Sequence, residues 1–181
     1  MSNRAQISGG KKAKRVCLSR SDQLPTPAST FQTISIRAHL GLVALREGAG
    51  NHDIACELLK TVYLTSMIAD AGKNEAWLEI CVAAELTIKE SIAHAYMAQT
   101  WELKPGRTQY IEKMLCLHDA LFLTLPRYKV AQSAKHLASA IDEGTLPDLA
   151  FAYRKKLQAR RLLVPVALNN DLREPLGLTY S

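Results

Sequence analysis

Residues 73–101, with the sequence "KNEAWLEICVAAELTIKESIAHAYMAQTW", make up the longest predicted element of the chain. Apolar residues recur in it at steps of four and three, the spacing that places side chains along one face of an α-helix. Glu85 and Lys89 stand four residues apart, where opposite charges stabilise a helix. The stretch therefore predicts a long helix with one buried stripe. The stripe consists of Trp77, Cys81, Ala84, Ile88, Ile92 and Ala95.

The helical period continues on both sides of this stretch. Asn51 is predicted to cap the helix that follows it, and Ser29 or Thr30 is predicted to cap the first helix of the chain. Breaks that contain glycine or proline, such as "GAGN" (48–51) and "KPGR" (104–107), separate the elements. The further helices are predicted within residues 31–48, 51–72, 108–125, 127–144 and 146–163.

Residues 31–48 carry a second signal, because their apolar residues also alternate with the period of a strand. The alternating residues are Ile34, Ile36, Ala38, Leu40 and Leu42. No second convincing strand exists to pair with this one, so the helical interpretation is preferred. The predicted fold class is all-α, a single compact bundle of five to six helices.

Composition divides the 181 residues into three parts. Residues 1–30 are polar, basic and rich in serine and glycine, which predicts a disordered basic arm. Residues 31–163 form the predicted helical bundle domain, and residues 164–181 form an irregular C-terminal extension with two prolines. One domain of this size buries enough apolar surface to fold without disulfides or metal.

Cysteine spacing and hydropathy predict a cytoplasmic location. The four cysteines are far apart and form no C-x-x-C pair, which is typical of reduced thiols. No apolar run approaches the roughly 20 residues that cross a bilayer. The basic N-terminus has no apolar segment behind it, so a secretory signal is not expected. We therefore expect no membrane partner.

Net positive charge is concentrated in two segments. Residues 1–30 hold six basic residues and one acid, and residues 127–161 hold eight basic residues and three acids, so each segment carries a net +5. Residues 31–126 carry a net −3. Segregated cations of this kind attract nucleic acid, an anionic surface or an acidic protein.

The two basic segments supply the candidate nucleic-acid-binding residues. Unstructured or helical Lys and Arg side chains can follow a phosphate backbone and release its counterions. A mere solubilising tail and a surface helix with solvated cations are the alternatives. The candidates are Lys11, Lys12, Lys14 and Arg15 in the arm and Arg154, Lys155, Lys156, Arg160 and Arg161 in the last helix.

Two structural interpretations accompany this assignment. Residues 127–163 could form a helix-turn-helix with a basic recognition helix, although the "DEGTLPD" linker is longer than the usual turn and an antiparallel hairpin fits equally well. Tyr96 and Trp101, with Met97, are predicted to close the end of the core.

The sequence argues against catalysis and metal binding. It contains no G-x-S-x-G, no H-E-x-x-H and no paired Glu-x-x-His motifs. His94 follows Glu90 by four residues, but His118 lies on an apolar stripe and is predicted to be a core histidine. Cys81 is predicted to be a packed hydrophobe. We expect no enzymatic activity, no cofactor and no bound metal.

The predicted function is that of a non-enzymatic intracellular helical protein that binds an acidic partner. Nucleic acid is the leading partner, in the manner of a DNA-binding accessory or regulatory protein. The alternative is a protein–protein adaptor or inhibitor that recognises its partner through the helical bundle and has no nucleic-acid role. The choice between DNA and RNA, and the oligomeric state, are left open by the sequence.

Overall fold

A computed structural model describes residues 18–72, 74–104 and 106–163. Within these ranges the chain is helical and contains no β-strand beyond one isolated bridge between Pro25 and Pro126, which confirms the all-α prediction. None of the described helices is both long and apolar enough to cross a bilayer. The helices are α1 (Ala28–Arg46), α2 (His52–Ala71), α3 (Glu75–Ala98), α4 (Thr108–Thr124), α5 (Arg127–Asp142) and α6 (Leu149–Leu163).

Helix α2 lies at the centre of the bundle. It packs against α1, α3, α4 and α5, while α4 also contacts α1 and α3. The main core forms where these helices meet, and a smaller cluster around Ile68 and Phe122 joins α5 to it. Main-core residues with almost no exposed surface include Leu45, Leu58, Val62, Cys81, Ile88, Ile111, Met114 and Leu115.

The interruptions between helices follow local chemistry. Asn51 caps α2 as predicted, since its side-chain oxygen accepts the Ile54 N–H at 2.9 Å. Helix α3 ends at Ala98 rather than near residue 101, because Gln99 adopts the left-handed conformation with φ 58°. The following loop turns back across α1, where the Leu103 N–H donates to the Leu45 carbonyl at 3.0 Å.

The first helix begins earlier than the sequence indicates. The N-cap of α1 is Pro27, without a side-chain cap bond, so the prediction of a cap at Ser29 or Thr30 is wrong. A 3₁₀ turn at Ser21–Gln23 packs against α5, and the Arg127 N–H donates to the Leu24 carbonyl at 2.7 Å. Ordered backbone pairing therefore extends into the segment predicted as a disordered arm.

Residues 1–17 and 164–181 lie outside the described residues. The remainder of the predicted arm and the predicted C-terminal extension therefore stay predictions.

Helices α5 and α6 do not form the predicted helical pair. Helix α5 packs against α2 and the 3₁₀ turn, whereas α6 packs against α3. Two helices that use different packing partners are neither a helix-turn-helix nor an antiparallel hairpin. The linker allows this separation because Gly144 adopts φ 64° and redirects the chain after α5.

The burial pattern of α1 accounts for both the helical and the strand-like spacing of its apolar residues. Its buried residues are Leu42 and Leu45, which follow helical spacing. Ile36 and Leu40, which produced the strand-like alternation, are 57% and 62% exposed. The second period is thus a set of apolar side chains that the bundle leaves on its surface.

Truncation of a core residue on α4 tests this packing. We expect Leu115→Ala to lower the free energy of unfolding by about 2–5 kcal/mol, because Leu115 is fully buried and its loss leaves a cavity. Leu123→Ala is the matched control on the same helix, since Leu123 is 52% exposed. Urea unfolding followed by circular dichroism measures both, and equal losses in the two variants would contradict the packing.

Candidate functional site

A buried carboxylate holds the start of the basic helix α6. Glu85 on α3 is 0% exposed, and its Oε1 accepts the Tyr63 O–H at 2.9 Å. Its two oxygens also accept the backbone N–H groups of Leu149 and Ala150 at 3.4 and 3.3 Å. Lys89 Nζ lies 2.8 Å from Oε1. An anion at this position satisfies orphan amides and complements the positive end of the helix dipole.

We call the contacts of Glu85 with Tyr63, Lys89, Leu149 and Ala150 the Glu85 anchor, and neighbouring groups add to it. Burial, followed by the hydrogen bond to Glu85, raises the pKa of Tyr63, so its hydroxyl stays a donor over the whole physiological range. Asp148 Oδ1 accepts the Phe151 N–H at 2.8 Å, and this bond lowers the pKa of the Asp148 carboxyl. Tyr153 donates a short hydrogen bond to Glu79 on α3. The first turns of α6 are therefore fixed to α3 by several polar contacts.

The outer face of α6 combines cations with an aromatic ring. Phe151, Arg154 and Lys155 stand three and four residues apart, so they share one side of the helix. All three are exposed, and Phe151 keeps 66% of its surface accessible. This face is the candidate functional site, and we call it the α6 outer face.

The described residues include only part of the predicted nucleic-acid site. Arg154 and Lys155 are exposed on the α6 outer face, and their role in binding stays a prediction. Lys156, Arg160 and Arg161 belong to α6 by backbone position, and their side chains are not described. The arm residues Lys11, Lys12, Lys14 and Arg15 lie outside the described residues.

Sequence reasoning missed Phe151 on this face and the contacts of Glu85 with α6. Phe151 was detectable, because an aromatic residue precedes Arg154 and Lys155 at helical spacing. Glu85 stood out as an acid between Ala84 and Ile88 on a buried stripe, but its partners on α6 are more than sixty positions away.

A second polar cluster joins α1 to α4. Asp119 Oδ2 accepts from Ser35 Oγ at 2.8 Å and lies 3.1 Å from His39 Nε2, while Asp119 Oδ1 lies 3.1 Å from His118 Nδ1. His118 is 1% exposed and stacks on Phe122, which confirms it as a core histidine. Ser35 bonds the carboxylate directly rather than a histidine, which is not the relay of a serine hydrolase.

Burial and hydrogen bonding shift both titratable groups of this cluster. Burial lowers the pKa of His118, so the ring is neutral at pH 7. Partial burial opposes ionisation of Asp119, but hydrogen bonds from His118, Ser35 and His39 outweigh it and lower the pKa. The cluster is therefore a neutral histidine against a charged aspartate.

A third polar contact lies on the surface where α2 begins. His52 Nε2 is 3.3 Å from Cys56 Sγ, and His52 Nδ1 is 3.1 Å from the Tyr96 hydroxyl. Trp101 packs edge-on against His52 and partly against the main core. Trp101 thus closes the core as predicted, but Tyr96 and Met97 are 61% and 88% exposed, so that prediction is wrong for them.

Two other kinds of site, a reactive thiol and a metal centre, were looked for among the described residues. Burial raises the pKa of the Cys81 thiol to about 12, which confirms a packed, protonated side chain. Across residues 18–72, 74–104 and 106–163, no three His, Cys, Asp or Glu side chains are grouped as metal ligands. No protein-family model, curated protein or solved structure matches the chain.

Removal of the Glu85 carboxylate tests the anchor. We expect Glu85→Ala to lower the free energy of unfolding by about 3–5 kcal/mol, because it strands buried donors and removes a buried ionic partner. Tyr63→Phe removes one donor only and should cost about 1–2 kcal/mol. Denaturant unfolding gives both values. Hydrogen exchange should show faster amide exchange at Leu149 and Ala150 in Glu85→Ala. The surface control Glu112→Ala should change neither readout, and an unperturbed α6 in Glu85→Ala would contradict the anchor.

The second cluster gives a pH prediction. Unfolded chains protonate His118 near pH 6.5, whereas burial keeps it neutral in the fold, so stability should fall as the pH drops through about 6.5. The contribution of Asp119, whose pKa is lowered, persists until the pH falls below about 3.8.

Urea unfolding about one pH unit above and below pH 6.5 separates the contribution of His118 from that of Asp119. His118→Gln, which keeps a donor for Asp119, should lose part of the stability change that the native protein shows. His39→Gln serves as the comparison, because it removes the partly exposed histidine from the same carboxylate. An unchanged pH slope in His118→Gln would be the contrary result.

Proposed function

We propose that the protein is a non-enzymatic binding protein that holds nucleic acid on the α6 outer face, as an accessory or regulatory protein would. The observation that carries this proposal is the exposed group of Phe151, Arg154 and Lys155 on a helix whose start is fixed by Glu85. Cations neutralise phosphates, and an exposed ring offers a surface on which a base can stack.

Fixed geometry supports this proposal over a solvated helix. An exposed cation on a mobile segment loses side-chain and backbone freedom when it binds, which weakens the complex. The polar contacts of Leu149, Ala150 and Tyr153 hold the first turns of α6 before any ligand arrives. Binding to these turns then need not order their backbone.

The remaining basic residues extend the proposed surface. Lys156, Arg160 and Arg161 continue the helix toward its end, and the arm with Lys11, Lys12, Lys14 and Arg15 would add further phosphate contacts. The sequence alone supports these additions. Free thiols at Cys56, Cys81 and Cys116 fit a reducing compartment, and we propose a cytoplasmic location.

Charge reversal on the α6 outer face tests the proposal. We expect Arg154→Glu/Lys155→Glu to weaken the binding of fluorescein-labelled single-stranded DNA and RNA at least tenfold. The slope of log affinity against log salt should fall by about 1.4, the value for two lost phosphate contacts on a single strand. Phe151→Ala should weaken binding by about 1–3 kcal/mol with an unchanged salt slope, because it removes stacking only.

Matched controls separate this surface from general charge. Lys129→Glu/Lys135→Glu makes the same change in net charge on α5, where both lysines are exposed, and should keep near-native affinity. A truncation that tests the contribution of the arm should remove residues 1–17 only. Leu24, further along the chain, pairs with Arg127 at the start of α5 and should be kept.

Equal losses in Arg154→Glu/Lys155→Glu and in Lys129→Glu/Lys135→Glu would refute the proposal. Oligonucleotide binding that Arg154→Glu/Lys155→Glu leaves unchanged would refute it too. Absence of any salt-dependent oligonucleotide binding would instead favour the adaptor or inhibitor class.

A further inference from the structure

A cysteine and a histidine lie in contact on the surface where α2 begins. His52 is the first residue of α2, and Cys56 lies one turn further along the same helix. The His52 Nε2 is 3.3 Å from the Cys56 Sγ, and the other ring nitrogen, Nδ1, is 3.1 Å from the Tyr96 hydroxyl. A sulfur, an imidazole and a third group that orients the imidazole are the parts of an activated nucleophile.

Two aromatic rings hold the His52 imidazole in place. The ring centroids of Tyr96 and Trp101 lie 6.2 and 5.8 Å from that of His52, and 5.8 Å from each other. Tyr96 belongs to the end of α3, whereas Trp101 follows the left-handed turn at Gln99. The fold therefore brings three separate segments of the chain together around one histidine, which restricts the orientation of its ring.

We propose that Cys56 is a site of reversible modification, at which its thiol exchanges with a low-molecular-weight disulfide and His52 acts as the base. The Cys56 proton passes to the His52 Nε2, and the Cys56 sulfur attacks one sulfur of the disulfide. A new S–S bond forms at Cys56 and the S–S bond of the small disulfide breaks. Its second half leaves as a thiol with the proton from His52, so Cys56 is oxidised and one small thiol is the reduced product.

The contact with Tyr96 gives His52 the tautomer that a base requires. When the ring proton is on Nδ1, the Nδ1–H donates to the Tyr96 oxygen and Nε2 is free to accept the Cys56 proton. The other tautomer carries a hydrogen on Nε2 and offers the thiol no acceptor. Tyr96 is therefore a positioning residue, which acts on the sulfur through the histidine.

The helical setting favours disulfide exchange over acyl transfer. An acyl-transfer intermediate needs N–H donors for its oxyanion. Near Cys56, the Ile54 and Ala55 N–H groups are both bonded to Asn51, and the following N–H groups of α2 bond to carbonyls one turn back. In disulfide exchange the negative charge stays on sulfur, so such donors are not required.

Two other cysteines provide a comparison within the same chain. Cys81 is 0% exposed. Cys116 is exposed on α4, where Glu112 and Ala120 rather than a histidine stand four residues away. Cys56 is only partly exposed. Exposure alone therefore predicts that Cys116 reacts first, whereas assistance by a base predicts that Cys56 does.

Oxidised glutathione added to the reduced full-length chain tests the proposal. Samples are quenched with acid at intervals, and peptide mass spectrometry gives the fraction of each cysteine that carries the mixed disulfide. Cys56 should react about tenfold faster than Cys116, and Cys81 should stay unmodified. His52→Gln should slow Cys56 about tenfold and leave Cys116 unchanged, because an amide cannot take the proton. Excess reduced glutathione should restore the free Cys56 thiol.

Folding and specificity are controlled in the same experiment. His136→Gln, at an exposed histidine on α5, should leave both rates at their native values. Protection of Cys81 shows that each variant is folded, since unfolding would expose this buried thiol. Circular dichroism should show native helix content in every variant.

Nitrogen-15 NMR of the imidazole tests the role of Tyr96. At about pH 8, where a histidine is neutral, the His52 ring of the native chain should carry its proton on Nδ1. Tyr96→Phe should shift the ring toward the Nε2 tautomer and slow Cys56 but not Cys116. An unchanged tautomer and an unchanged Cys56 rate would overturn the positioning role of Tyr96.

A Cys56 thiol that reacts no faster than Cys116 would overturn the proposal. A native Cys56 rate in His52→Gln would overturn it too, and so would equal slowing of both cysteines in that variant. No oligonucleotide takes part in these measurements, so their failure is distinct from failure of the proposed function.

Discussion

The contacts of one carboxylate determine where the basic helix sits. Glu85 lies inside the bundle without exposed surface, and a buried charge is tolerated only when surrounding donors replace its water. Those donors come from Tyr63 on α2, from Lys89 on α3 and from the backbone of Leu149 and Ala150 on α6. Because the carboxylate must satisfy three helices together, α6 is fixed against α3 rather than against its chain neighbour α5. Apolar packing alone would not specify this choice.

That arrangement links the interior to the surface. The contacts at the start of α6 leave Phe151, Arg154 and Lys155 on the outside. The acid in the core and the cations on the surface are thus parts of one arrangement. The Asp119 carboxylate on α4 likewise joins two helices, because it contacts Ser35 and His39 on α1 as well as His118 on its own helix.

Strong periodicity made most of the fold predictable. The stripe of α3 was read from spacing alone, and its residues Cys81, Ala84, Ile88 and Ala95 are all buried. Periodicity was weaker in α1, because the exposed Ile36 and Leu40 add an alternation that does not report burial. The end of α3 was misplaced since a left-handed Gln99 leaves no signal in the sequence.

The site was less predictable because it depends on pairs that are distant along the chain. Arg154 and Lys155 were identified from charge, but their orientation depends on Glu85, which no local pattern connects to α6. The pairing of α5 with α6 was wrong, because linker length does not reveal which neighbour offers the better contacts. Phe151 was open to prediction and is the one element of the α6 outer face that spacing alone could have added.

The bond between the Leu103 amide and the Leu45 carbonyl has a consequence for the order of folding. The end of a helix leaves carbonyls unpaired, and this one is completed by a residue that lies beyond α3 in the chain. The last turn of α1 therefore gains its partner only after the chain has returned past the far end of α3. Closure of so long a loop is slow compared with local helix formation. The end of α1 is thus completed by a contact that is distant along the chain, unlike the rest of the helix, whose hydrogen bonds are local.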